Sequence, residues 1–257
     1  MPLLGFALSC CILPFGLGFS ALLVLALEWL APDVIPFELG TFWTFDQPIW
    51  TAFTASVALI WPVLAAGLLL TLIRAPRQRF AQRQIAWYGV EGAQVMRLGP
   101  ARMLFQSALE EIAFRWLLFY AAIAGATFAD FVLLGFADLH PVRWLFTEVL
   151  VPVADFATFG MLHEQLTLGA WAVAAAVLTS NGRFRNGHLY QGLIGWIWSW
   201  YMGMFLFLVM FEHGLLAAIA VHVAYNFVML GLHVAITGVA PRVVVMENAA
   251  GPRPFQE

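Results

Sequence analysis

Long apolar runs alternate with short polar stretches along most of the chain. A helix needs about 20 mostly apolar residues to cross the hydrocarbon core of a bilayer. Six runs are candidates for such helices, with approximate limits Leu3–Leu30, Ile49–Ile73, Ala101–Gly125, Leu168–Thr179, His188–Phe211 and Leu215–Thr237. The pattern predicts an all-α fold, a polytopic bundle of transmembrane helices, with a kink at Pro62 in the second span.

A less regular insert, residues 127–166, separates the third run from the fourth. It contains several acidic residues and a single arginine, Arg143. Because both of its ends are expected on the same side of the membrane, the insert adds either no crossings or two. We therefore expect six to eight spans in total.

Arginines are concentrated in residues 74–102, and Phe80 to Met96 has the apolar spacing of an amphipathic helix at a membrane interface. The positive-inside rule places this stretch and the N-terminus in the cytoplasm, with the bacterial cytoplasmic membrane as the expected location. Three regions follow from the pattern. They are an N-terminal two-span hairpin with the interfacial helix (1–98), a helical core with the insert (99–240) and a polar tail (241–257).

Composition narrows the class of protein further. Of the 257 residues, 62% are hydrophobic and only 11% are charged, whereas a soluble domain has about 25% charged residues. Lipid must therefore be the solvent for much of the surface. The net charge of −3 excludes a broad nucleic-acid-binding surface, which would be strongly basic.

Charged residues within apolar spans are costly and usually functional, and the third span contains two adjacent glutamates. Glu111 and Arg115 are four residues apart, so they share a helix face and can form an ion pair. Glu110 is rotated by about 100° from Glu111 and can point into the bundle. A purely structural ion-pair cluster explains this segment equally well.

Two further polar groups lie on later spans. His188 follows Asn186-Gly187, and a helix start there would place it near the cytoplasmic rim of its span. His222 and Asn226 lie one turn apart on one face of the last span, which indicates that this face meets protein or water. An interhelical hydrogen bond is the simpler interpretation of that pair.

The three groups together form the series Glu-Glu-x-x-x-Arg, Phe-x-x-x-His and His-x-x-x-Asn, in that order. This series resembles the CAAX prenyl protease and bacteriocin-processing family of membrane endopeptidases. The matching residues are Glu110, Glu111, Arg115, Phe184, His188, His222 and Asn226. Phe159 and His163 also have the Phe-x-x-x-His spacing. His188 is preferred because it opens the span directly before the His222 helix and is followed by Leu-Tyr-Gln-Gly.

The resemblance implies hydrolysis of a peptide bond within or beside the membrane. It assigns Glu110 as general base, His188 as the residue that positions the water, and His222 with Asn226 as stabilisers of the oxyanion. Glu111, Arg115 and Phe184 would support these residues, and Glu110 and Glu111 could exchange roles. The expected substrate is a peptide or a membrane protein.

No cofactor is expected in this scheme. A zinc-dependent version stays open, because Glu110, His188 and His222 would supply three protein ligands and leave one position for water. The chain has no independent zinc motif, since Thr167 follows His163-Glu164 where His-Glu-x-x-His requires a second histidine.

Two other functions also fit the pattern. A non-catalytic subunit or scaffold of a larger membrane complex could use the same helices, with 11 Trp and 23 Phe as contact surface for lipid or partner helices. A proton-coupled transporter could use intramembrane Glu and His, but paired spans broken by Gly or Pro in corresponding halves are missing from the sequence.

Overall fold

A computed structural model describes residues 22, 25–26, 29, 36–38, 40–43, 47–87, 93–97, 100–168, 170–237 and 242–246. Most of the first predicted span, Leu3–Leu30, lies outside these residues. The chain divides into two units, one within residues 1–63 and 108–222 and the other within 64–107 and 223–257.

Helices make up most of the described chain. The α-helices are α1 (Ile49–Trp87), α2 (Pro100–Glu111), α3 (Leu118–Val132), α4 (Pro141–Trp144), α5 (Val151–Ala157), α6 (Trp171–Asn186), α7 (Gly192–His213) and α8 (Leu215–Thr237). Three π-helical segments cover Ile112–Leu117, Leu145–Leu150 and Glu164–Leu168, and short 3₁₀ turns cover Thr41–Trp43, Gly135–Ala137 and Leu189–Gln191. Two strands, β1 (Ala93–Arg97) and β2 (Arg242–Met246), complete the described elements.

Four helical stretches among the described residues are long and apolar enough to cross a membrane. They are Ile49–Arg74, Met103–Val132, Gly192–His213 and Leu215–Ile236. Large apolar side chains on these stretches are exposed, for example Trp61 at 63% and Phe128 at 69%. An apolar exterior of this kind is suited to lipid rather than water. Four of the six predicted runs therefore correspond to membrane-length helices.

The predicted kink in the second span is confirmed. The backbone of α1 leaves the helical region at Ile60, where φ is −107° and ψ is 15°. Pro62, two residues later, has no backbone N–H to donate, and its ring clashes with the carbonyl of the residue four positions earlier. The proline therefore explains the break.

The core of the first unit is built around α6, which packs against α3 and α7. Every residue from 172 to 177 is buried, and four of these six are alanine. Such small side chains allow neighbouring helices to approach closely. At 16 residues, α6 is shorter than a typical span, and it ends at Asn186 rather than at the predicted Thr179.

The second unit contains the clearest correction to the predicted elements. The prediction of a separate amphipathic helix over Phe80–Met96 is wrong at its C-terminal end. The helix α1 continues to Trp87, and residues 93–97 form the strand β1. This strand pairs antiparallel with β2, with Val95 opposite Val244. Three consecutive valines in β2 favour a strand because β-branched side chains fit a pleated surface. The predicted polar tail thus includes a strand, and residues 247–257 lie outside the described chain.

The insert is more regular than predicted. The helical elements α4 and α5 flank the π-helical segment Leu145–Leu150, so that helical backbone extends from Pro141 to Ala157. The buried carboxylate of Asp130, near the end of α3, accepts hydrogen bonds from the backbone N–H of Arg143 at 2.9 Å and from Nδ1 of His140 at 2.7 Å. Asp130 therefore satisfies an N–H group at the start of α4 that has no helical partner.

Candidate functional site

The predicted ion pair between Glu111 and Arg115 is confirmed. Glu111 is the last residue of α2, and Arg115 lies in the π-helical segment that follows. Nη1 of Arg115 is 3.0 Å from Oε1 of Glu111, and both side chains are completely buried. π-Helical turns inside α-helices occur frequently at functional sites. Because both side chains are buried and both residues lie within the stretch Met103–Val132, the pair places two charged groups within a membrane-length helix.

His222, on α8, adds a third polar group to this pair. Its Nδ1–H donates to Oε1 of Glu111 at 2.6 Å, and the histidine is only 4% exposed. With Nδ1 engaged, Nε2 is the ring nitrogen that can interact with a reacting group. The contact joins two of the three sequence motifs across a separation of 111 residues.

The guanidinium of Arg115 is stabilised by aromatic rings as well as by the carboxylate. It lies 4.0 Å from the ring centroid of Phe184 and 5.6 Å from that of Phe207. The negative faces of aromatic rings attract such a cation, most strongly where water is excluded. Although Nη1 is close to Glu111, neither Arg115 nor Oε2 of Glu111 forms an aligned hydrogen bond with another described group. The cluster thus contains a buried carboxylate oxygen that is able to accept one.

Two residues that the sequence analysis did not assign to the site make room for this cluster. A Cβ on Gly203 would lie 1.9 Å from Oδ1 of Asn181 and 3.0 Å from Nη2 of Arg115. Asn181 is fully buried, and its Nδ2 donates to the carbonyl of Trp200 at 2.9 Å. The only signals in the sequence were a polar residue in the middle of α6 and a glycine within an apolar helix, neither of which identifies a partner.

This packing makes a testable prediction. The substitution Gly203→Ala is expected to lower the free energy of unfolding by about 1–3 kcal/mol, because the added methyl group must displace Asn181 and the Arg115 guanidinium. Gly125→Ala is the matched control, since a Cβ there meets nothing within 4 Å. The control is expected to be neutral or slightly stabilising, because alanine favours helix. Titration with SDS in mixed micelles measures both values, and equal stability of the two variants would contradict the packing described.

His188 lies in the turn between α6 and α7, rather than at the start of its span as predicted. The helix α7 begins four residues later, at Gly192, where φ is +75°. Glycine adopts this backbone conformation without the steric cost that other residues incur. The turn therefore ends at Gly192, and His188 precedes the short 3₁₀ segment.

The half-buried imidazole of His188 is held in one orientation. Its Nδ1–H donates to the carbonyl of Phe184 at 2.8 Å, and its ring centroid lies 4.6 Å from that of Phe184. In the neutral tautomer fixed by this bond, Nε2 carries the lone pair and can accept a proton or a hydrogen bond. Phe184 also contacts His222, with 6.1 Å between ring centroids. The phenylalanine of the second motif thus touches residues of both other motifs.

The two glutamates differ in their depth. Glu111 is fully buried, whereas Glu110 is half-buried. The pairing of Glu111 with Arg115 is as predicted, but Glu111, and not Glu110, occupies the deeper position in the bundle. Glu111 also has the hydrogen bond to His222 that the sequence did not assign to either glutamate.

Asn226 belongs to the second unit. Its Nδ2 donates to Oγ of Ser107 at 2.8 Å, and Ser107 in turn donates to the carbonyl of Met103 at 2.9 Å. The simpler interpretation of Asn226, an interhelical hydrogen bond, is thus realised between α8 and α2. One of its two N–H donors is used in this bond.

The alternative Phe-x-x-x-His match leads to an exposed pair. His163 has 60% of its side chain exposed, and its Nδ1 is 3.0 Å from Oδ2 of Asp155. Both residues lie in the insert. Among the residues that the structure describes, His163 has no buried partner comparable to Phe184 and Arg115.

The proposed zinc ligands do not form a metal site. Among the described residues, no group of three His, Cys, Asp or Glu side chains is close enough to hold a metal ion. Glu110, His188 and His222 are all described, and the structure does not group them as three metal ligands. Oε1 of Glu111, which approaches Nδ1 of His222, is already shared with Arg115.

The geometry thus brings residues from all three motifs into contact within the first unit. Glu111, Arg115, Phe184 and His222 form one connected cluster, and His188 joins it through Phe184. No protein-family model, curated protein or solved structure matches the chain.

Proposed function

We propose that this protein is an intramembrane endopeptidase that hydrolyses a peptide bond with a water molecule activated by Glu and His, as in the CAAX protease-like family. The observation that carries the proposal is the buried 2.6 Å hydrogen bond between His222 and Glu111. It joins two motifs that are far apart in sequence, while Phe184 of the third motif touches both Arg115 and His222. Convergence of three motifs at one point favours a site over three separate structural features.

In the proposed reaction, Glu110 removes one proton from a water molecule whose other hydrogen is donated to Nε2 of His188. The water oxygen bonds to the carbonyl carbon of the scissile peptide, and the carbonyl oxygen becomes an oxyanion. The carbon–nitrogen bond then breaks, and the proton held by Glu110 passes to the leaving nitrogen. The products are a carboxylate and an amine, and no other reactant is needed.

His222 has the role of oxyanion donor, which the resemblance gives to it together with Asn226. Because Glu111 accepts from Nδ1, a protonated His222 would present Nε2–H to the developing negative charge. The adjacent carboxylate stabilises such an imidazolium. Donors aimed at developing charge act most strongly where water is excluded, and full burial of Glu111 supports that condition here.

We propose the bacterial cytoplasmic membrane as the location, with the N-terminus and residues 74–102 in the cytoplasm and six to eight crossings in all. Four membrane-length helices support this arrangement. The apolar run Leu3–Leu30 and the buried helix α6 would supply the other two crossings of a six-span protein. The distribution of arginines sets the orientation.

A non-catalytic scaffold is the second candidate, and one observation favours it. The Glu111–Arg115 pair is completely buried, and a buried polar pair can serve to fix how helices pack. In that case the same cluster would hold the bundle together for a partner complex. The two candidates differ in one expected result. Loss of Glu110 should abolish cleavage of a peptide bond if the protein is an endopeptidase, and should change no cleavage if it is a scaffold.

The proposal predicts that new peptide termini depend on Glu110. Membranes containing the wild-type protein should yield cleaved membrane peptides that are missing from membranes containing Glu110→Gln, when free amino termini are labelled and identified by mass spectrometry. Gly125→Ala is the matched control and should yield the wild-type products. Identical termini in the wild-type and Glu110→Gln samples, at equal protein levels, would favour the scaffold.

A further inference from the structure

A groove in the first unit shares no lining residue with the motif cluster. Its volume is about 460 Å³, and it is lined by the insert on one side and by α6 and α7 on the other. Most of its lining is apolar, including Leu150, Val153 and Leu178. Leu150 and Val153 are 37% and 62% exposed, so the groove is open to the surroundings of the protein.

One charged residue, Arg185, lines this groove. It lies in the last turn of α6, and Leu178 lies two turns earlier on the same helix, about 10 Å away along the axis. The groove therefore has a cationic end and an apolar length. The groove is therefore complementary to an amphiphile with an anionic head and a hydrocarbon chain.

The guanidinium of Arg185 is held in position and is not neutralised. It stacks at 3.9 Å on the ring of Trp196, and its Nε and Nη2 donate to Oδ1 of Asn186 at 3.3 and 3.2 Å. Of the five N–H donors in a guanidinium, these two bonds use two. Within the described parts of the chain, no carboxylate pairs with Arg185.

We propose that this groove binds an anionic phospholipid of the surrounding bilayer, with the phosphate at Arg185 and one acyl chain along the apolar lining. Basic residues between helices on the cytoplasmic side are suited to acidic headgroups. Arg185 also belongs to the arginine-containing end of α6 that the orientation places in the cytoplasm. The inference does not depend on the proteolytic activity proposed above.

The site can be tested by native mass spectrometry of the delipidated full-length protein in detergent. Phosphatidylglycerol and phosphatidylcholine of the same chain length are added in equal amounts, and the dissociation constant for the first bound lipid is measured. The wild-type protein is expected to prefer phosphatidylglycerol about fivefold, which corresponds to about 1 kcal/mol for one cation near the headgroup.

Four variants separate the headgroup contact from the groove itself. Arg185→Gln should abolish the preference for phosphatidylglycerol, whereas Arg183→Gln, on an exposed arginine of the same helix end, should keep it. Gly182→Leu fills the groove from a position where a Cβ meets nothing within 4 Å and should weaken binding of both lipids. Gly125→Leu, which also has open space, should bind both lipids as the wild type does.

Either of two results would overturn the proposal. The first is an unchanged preference for phosphatidylglycerol in Arg185→Gln, or an equal loss of preference in Arg183→Gln, which would indicate general surface charge. The second is wild-type binding of both lipids by Gly182→Leu. Because the glycine position has space for a side chain, retained thermal stability of that variant is expected and excludes misfolding as the cause of weaker binding.

Discussion

The substitution Arg115→Met is expected to lower the free energy of unfolding by about 3–5 kcal/mol. Arg115 and Glu111 are both completely buried, with 3.0 Å between Nη1 and Oε1. Removal of the arginine leaves a buried carboxylate whose remaining polar partner among the described residues is His222. A buried charge without its partner is costly because neither water nor an opposite charge stabilises it. SDS titration in mixed micelles provides the measurement.

The double variant Glu111→Gln with Arg115→Met is the matched control. Replacement of both members of a buried ion pair by uncharged groups of similar size is often neutral, so the double variant should recover most of the lost stability. If the single and double variants were equally unstable, the cost would come from lost packing against Phe184 and Phe207 rather than from an unpaired charge.

The second large effect concerns the rate of hydrolysis. His188→Ala is expected to lower the rate at the cleaved bond by a factor of about 10²–10⁴, the usual contribution of a positioned acid–base residue. The reason is the hydrogen bond from Nδ1–H to the Phe184 carbonyl, which leaves Nε2 as the atom that positions the water. The rate is measured with the purified protein and a peptide that contains the bond identified in membranes.

His163→Ala is the control for this prediction, since His163 has the same Phe-x-x-x-His spacing but is 60% exposed and pairs with Asp155. Its rate should stay within about twofold of the wild type, because exposed pairs contribute little. A comparable loss in both histidine variants would indicate that the choice of His188 over His163 is wrong.

Local sequence rules predicted the features that depend on neighbours along the chain. The ion pair of Glu111 and Arg115 follows from their spacing of four on a helix. The kink near Pro62 follows from the missing backbone N–H. The last span, Leu215–Thr237, has the predicted limits because its apolar run begins after Gly214.

Features that depend on distant partners could not be predicted in the same way. The proximity of Gly203 to Asn181 depends on how α7 packs on α6, and a glycine in an apolar run has no signal for this. The pairing of β1 with β2 joins residues that are far apart in the sequence. The helix α7 starts at Gly192, where φ is positive, and the sequence does not indicate this backbone conformation. His188 was therefore predicted to lie on the helix, whereas it lies in the preceding turn.

The candidate site was predicted as a set of residues, but the only internal contact predicted among them was the ion pair of Glu111 and Arg115. The motifs identified Glu111 and His222 separately, yet the helical pattern alone could not show that Nδ1 of His222 reaches Oε1 of Glu111. The sequence also could not show which glutamate is buried. Adjacent residues differ by about 100° around any helix, and this angle does not indicate which of the two faces the interior. Full burial of Glu111 comes from the helices that surround it.

If the buried cluster supports hydrolysis of a peptide bond by water, an oxygen atom of the solvent must enter the new carboxyl terminus. Incorporation of ¹⁸O from labelled water measures this transfer. The purified protein is incubated in H₂¹⁸O with a peptide that contains the cleaved bond, and the new carboxyl terminus is analysed by mass spectrometry. We expect one ¹⁸O atom in that terminus for the wild type and no product with Glu110→Gln. An equal yield of labelled product from the Glu110→Gln protein, or no cleavage by the wild type of any peptide whose terminus it generates in membranes, would contradict the proposal.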